Sequence, residues 1–127
     1  MPFTEKTVQL EQVSAGIYKT LTALTYTTKK GEIINVPIGY ITDGYSKPRL
    51  TEILVGGRFE DDIRPSCIHD FLCENKGYYN SEGVFVPLSF NKVNNIFYEA
   101  MDEKDVKISW LKAVVMRIAV EFNPNRW

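Results

Sequence analysis

The period of the apolar residues changes part-way along the chain. From Tyr18 to Thr28 the run YKTLTALTYTT is rich in threonine, tyrosine and leucine. Leu21 and Ala23, and less strictly Leu24 and Tyr26, occupy alternating positions. Alternation in β-prone residues predicts a strand. KKGE, Lys29 to Glu32, reads as a turn, and Glu32 to Pro37 (EIINVP) as a second short strand, so the two form a β-hairpin. Lys6 to Val13 alternates less cleanly and suits an edge strand. Gly39 to Thr42 reads as a further short strand leading into TDGYSKPR.

Beyond Pro65 the period becomes helical. Pro65 to Asn75 opens on a proline, which suits a first helical turn, and puts Ile68, Phe71, Leu72 and Asn75 on one side. Gly77 to Leu88 carries glycines, tyrosines and a proline, as a loop or a small hairpin does. Ser89 is a good N-cap for a helix from Phe90 to about Glu103, where Phe90, Val93, Phe97, Ala100 and Met101 follow 3,4 spacing. A last helix, Lys107 to Phe122, would bury Ile108, Leu111, Val114, Val115, Ile118 and Phe122, and Asn123-Pro124 would stop it. The expected fold is therefore α+β: a small N-terminal antiparallel sheet or hairpin followed by about three helices. At 127 residues, without an internal repeat, it is expected to form a single domain spanning 1–127.

Composition narrows the function classes. With 44% apolar and 24% charged residues the chain is globular rather than disordered. A net charge of −1 supplies no basic surplus for nucleic acid or for an anionic membrane. No apolar run approaches the roughly 20 residues of a membrane-spanning helix, so no transmembrane segment is expected. MPFTEKTVQL has neither the basic nor the apolar region of a secretion signal, so none is expected. On a helix the spacing of Cys67 and Cys73 sets them about 240° apart, too far around to pair. Two cysteines and one histidine are too few for a structural zinc site. Any histidine chemistry must use His69.

Three stretches could carry chemistry. In TDGYSKPR, Asp43-Gly44 marks a turn, and the loop is either a plain connection or a source of oxygen ligands from Asp43 and its carbonyls. In CIHDFLC, His69 and Asp70 project about 100° apart, so one can face a cleft as base while the other reaches a metal. The alternative is a hydrogen-bonded, partly buried histidine beside a solvated aspartate. In NKVNNIFYEAM, Asn94 falls on or beside the apolar face, where a buried amide needs partners. It either bridges helices or partners His69.

The order VPIGYITDGYSKPR, RPSCIHDFL and NNIFYEAM resembles the phage and prophage family DUF 1353 from about Val36 to Phe122. That resemblance implies a small protein of bacteriophage origin with no settled activity. More distantly, DGYSKP, CIHDF and VNNIFYEAM are similar to the prokaryotic branch of the phospholipase A2 superfamily. This second likeness implies a mechanism. His69 would be a general base activating water, and Asp70 and Asp43 would be Ca²⁺ ligands. Gly44 would be a backbone ligand or oxyanion donor. The second helix, running antiparallel to the His-Asp helix, would orient the imidazole. Ca²⁺ seeks about six to eight oxygens and would polarise an ester carbonyl.

The chain departs from that pattern at several places: Leu72-Cys73 replaces the Trp-x-x-Tyr or Phe-Gly-Tyr surroundings expected at the end of the histidine motif, the N-terminus carries no basic, aromatic membrane-docking helix, and two site positions differ. Asn94 stands where the superfamily has an aspartate, and Tyr45 where it has a cysteine. An amide accepts a hydrogen bond from the imidazole but cannot neutralise an imidazolium. In the serine protease triad the same Asp-to-Asn change costs roughly 10⁴ in turnover, there through the wrong tautomer. Two readings follow. One is a non-enzymatic virion, tail or host-interaction component, meeting other phage or host proteins in the virion or the host cytoplasm. The other is a calcium-dependent ester hydrolase acting on lipid. The phospholipase likeness implies that the imidazole of His69 lies within hydrogen-bond reach of the Asn94 side chain or the backbone near it, and the calcium reading expects Asp43 and Asp70 to share one cation.

Overall fold

The computed structural model describes residues 2–6, 8–14, 17–42 and 64–106, together with Arg117. Among them, five short strands precede a helix, a two-stranded hairpin and a second helix: β1 (Leu10–Ser14), β2 (Ile17–Thr20), β3 (Leu24–Thr27), β4 (Ile33–Val36), β5 (Ile41–Thr42), α1 (Arg64–Asn75), β6 (Gly77–Tyr79), β7 (Phe85–Pro87) and α2 (Phe90–Met101). All described pairings are antiparallel: a three-stranded sheet in the order β1-β2-β5, the β3–β4 hairpin and the β6–β7 hairpin. The fold is thus α+β, with the antiparallel strands leading. Two helices rather than three lie among the described residues. Of the expected last helix, 107–122, only Arg117 does, and it is helical.

The β3–β4 hairpin is the side-chain floor of the core. Leu24 pairs with Val36 and Tyr26 with Ile34, and all four are buried, so the period of two puts one face of both strands inward. Gly31, at φ +88°, supplies the left-handed residue of its turn. Phe3 bridges to Tyr26 and stacks on it with ring centroids 4.7 Å apart, extending this layer toward the N-terminus.

The run Tyr18 to Thr28 is not one strand. It breaks at Leu21–Ala23 into β2 and β3, which belong to different sheets. Leu21 is consequently 44% exposed rather than inward-facing. Buried Thr20 manages the crossing: its hydroxyl donates to Pro37 O and accepts from Tyr40 N–H, both at 2.9 Å.

The helices lie against the hairpin floor. Ile68 and Leu72 of α1 and Val93, Ile96 and Ala100 of α2 join Leu24, Tyr26, Ile34 and Val36 in one cluster. Phe71 is only half-buried. Asn75, expected on the apolar side, is exposed and donates to Phe71 O at 2.8 Å. The helices run in opposite directions. Arg64, opening α1, reaches Asp105 beyond the end of α2, while Lys76 O, just past α1, accepts from Leu88 N–H just before α2. The linking hairpin β6–β7 turns on Asn80, whose Oδ1 accepts from Glu82 N–H and Val84 N–H.

Candidate functional site

Crossing in opposite senses, α1 and α2 bring their middles together, and His69 meets Asn94 there. His69 Nε2 lies 2.9 Å from Asn94 Oδ1. An amide oxygen only accepts, so Nε2 carries the proton of this bond. The imidazole lies against the Phe97 ring, centroids 4.6 Å apart. Phe97 is one turn along α2 from Asn94, so a single helix face both bonds and covers the ring.

Burial is nearly complete. His69 is 2% exposed and Asn94 is at 0%. The Nδ2 of Asn94 finds no hydrogen-bond acceptor among the described residues. A buried amide hydrogen in that position costs about 1–3 kcal/mol.

Cys73 completes the cluster. It stands one turn after His69 on α1, and its Sγ lies 3.6 Å from Nε2 and 3.8 Å from Nδ1. Burial pushes its thiol up to about 12, and does the same to Cys67. Both cysteines are free and buried, as their angular separation requires. The sequence carried a signal for the Cys73 contact, because positions 69 and 73 are four apart on a helix. Measuring the two cysteines only against each other leaves that signal unread.

Asp70 is buried at 4%, not solvated as one alternative supposed. Asp43 and Gly44, the other two calcium candidates, lie outside the described residues. Among the described residues, no group of three or more histidines, cysteines, aspartates or glutamates is placed to hold a metal ion.

With Nε2 engaged as a donor, general-base chemistry at His69 would have to pass through Nδ1. The Cys73 thiol lies 3.8 Å from that atom, slightly farther than from Nε2. The arrangement fixes the imidazole and gives it one tautomeric role. Comparison with protein-family models matches residues 18–120 to the family described as "Protein of unknown function (DUF1353)". The chain belongs to the DUF1353 family. The match takes in the hairpin floor, α1 and α2, and so the whole His69 cluster of this DUF1353 chain. No curated protein and no solved structure matches it. Among the described residues, no helix is long and apolar enough to cross a membrane.

Proposed function

We propose that this DUF1353 protein works without catalysis, as a binding or assembly component of a bacteriophage: a virion or tail protein, or a factor that contacts host proteins. One observation carries the reading, namely the enclosure of the imidazole at 2% exposure between Asn94, Phe97 and Cys73. A hydrolytic base must reach both a water and a substrate carbonyl, and its cationic form needs a stabilising charge. The Asn94 amide supplies orientation and no charge. On this reading the His69–Asn94 bond pins two helices at mid-length and presents the rest of the surface to partners. The phage setting, and partners drawn from phage or host proteins, rest on the sequence resemblance alone.

A calcium-dependent ester hydrolase is the second reading. The observation in its favour is the 2.9 Å contact itself, which is how a helix-borne orienting group would hold a base. The two readings part in one experiment. The natural protein and His69→Ala are assayed on mixed-phospholipid vesicles and a short-chain ester, with and without millimolar calcium. The non-catalytic reading expects equal, background turnover from both and an unchanged melting temperature in calcium. Calcium-dependent turnover that disappears in a folded His69→Ala protein would overturn it. Activity that emerges only in Asn94→Asp would identify a hydrolase scaffold lacking its charge, and would leave the natural protein non-catalytic.

A further inference from the structure

An open cleft of about 300 Å³ lies where the β3–β4 turn meets the N-terminal half of α2. Among the described residues its lining shares nothing with the His69 cluster. The volume is at the lower end of ligand sites, about 300–1,000 Å³. Most such sites are apolar, whereas this one is lined by charge and amide. Lys30 and Lys92 face it with Glu32 and Glu99, so its formal charge sums to zero. Asn91 and Asn95 add amides between them, and Ile96 adds apolar lining.

The two carboxylates are held in place without being used up. Glu99 accepts from Tyr26 O–H at 2.5 Å and from Lys29 N–H at 3.3 Å. Glu32 accepts from Thr28 O–H and Tyr78 O–H, both at 3.3 Å, and pairs with Lys92 Nζ at 3.5 Å. An ionised carboxylate has about four lone-pair sites, so each retains capacity for a ligand. The Lys92–Glu32 pair is partly solvated, and pairs of that kind contribute little, so a ligand can exchange for it at small cost.

We propose that this cleft binds a neutral saccharide. Its lining combines carboxylates held by hydrogen bonds with ammonium and amide donors, and carries no net charge. A lone anion or a lone cation would meet repulsion from one half of the lining. A sugar hydroxyl donates and accepts at once, so it satisfies a carboxylate and an ammonium or amide together. The proposal does not depend on the absence of catalysis at His69, since the two sites share no side chain.

The test is an amide-resolved NMR titration of the full chain with glucose, galactose, N-acetylglucosamine, lactose and cellobiose. Inorganic phosphate and glycine serve as the anionic and zwitterionic probes. At least one saccharide is expected to saturate, in the millimolar range typical of weak sites, with shifts centred on Asn91, Lys92, Asn95 and Glu99. Lys92→Met and Asn95→Ala are expected to weaken it about tenfold each, the worth of one lost hydrogen bond. Both side chains are solvent-accessible, so the backbone spectrum should otherwise be unchanged. No saturable shift with any saccharide overturns the proposal. So does saturation by phosphate or glycine alone, or saccharide binding that both variants leave intact.

Discussion

A buried imidazole is defined by the groups that meet its two nitrogens. At position 69 the Asn94 amide oxygen meets Nε2, and the Cys73 thiol lies 3.6 Å from Nε2 and 3.8 Å from Nδ1. The Asn94 contact was partly legible in the sequence: an asparagine beside an apolar helix face must find a partner, a helix bridge and His69 were both open, and the likeness of CIHDF and VNNIFYEAM to phospholipase motifs pointed to His69. The Cys73 contact and the Phe97 cover were less so, since they depend on which rotamers the crossing of α1 and α2 allows. The thiols carry a consequence at this scale. Folding raises Cys67 and Cys73 from the ordinary 9.0 to about 12, so the folded chain holds those protons more tightly than the unfolded one. Stability from this source is complete below pH 9 and declines as pH rises from there toward 12. Tyr26, its hydroxyl shifted upward by burial and by Glu99, acts in the same direction. Thermal melts across that range should fall with pH. The slope should flatten in a Cys67→Ala/Cys73→Ala protein, and an equally steep slope there would exclude the thiols as its source.

Elements were read well where the signal was local. The hairpin of β3 and β4, the opening of α1 at Arg64–Pro65 and the Ser89 cap of α2 all follow from turn and cap chemistry a few residues long. The break between β2 and β3 was not visible. It is imposed by backbone partners far away in sequence: Leu21 N–H donates to Gln9 O and Gly39 N–H to Thr20 O. No alternation pattern encodes such partners. Two substitutions probe the local devices. Ser89 Oγ accepts from Lys92 N–H at 3.2 Å, so Ser89→Ala should cost about 1 kcal/mol in chemical denaturation. Gly77 sits where a Cβ would collide with Val86 O and come within 2.7 Å of the Phe85 ring. Gly77→Ala should therefore open the β6–β7 hairpin and cost about 3 kcal/mol. Loss below half a kcal/mol, on the order of an ordinary surface change, would show that the hairpin has room the structure does not.

Across the whole molecule, one side chain joins three distant parts of the chain. Arg64 is buried at the start of α1. Its guanidinium donates to Glu5 O at 2.8 Å and to Asp105 Oδ2 at 3.1 Å, and lies 4.7 Å from the centre of the Phe3 ring. Arg64→Leu leaves those acceptors without their donor and should cost about 3 kcal/mol, with the midpoint of denaturant unfolding moving accordingly. A neutral result would mean that the N-terminal segment and the end of α2 are held by other contacts.

The larger account turns on whether His69 is a fixed donor that pins two helices. Nitrogen-15 NMR of the protein's single imidazole measures this directly. The account predicts one tautomeric state with the proton on Nε2, visible and slow to exchange with water, and lost from that position in Asn94→Leu. A bare Nε2, or an imidazole proton exchanging freely with solvent, would contradict it.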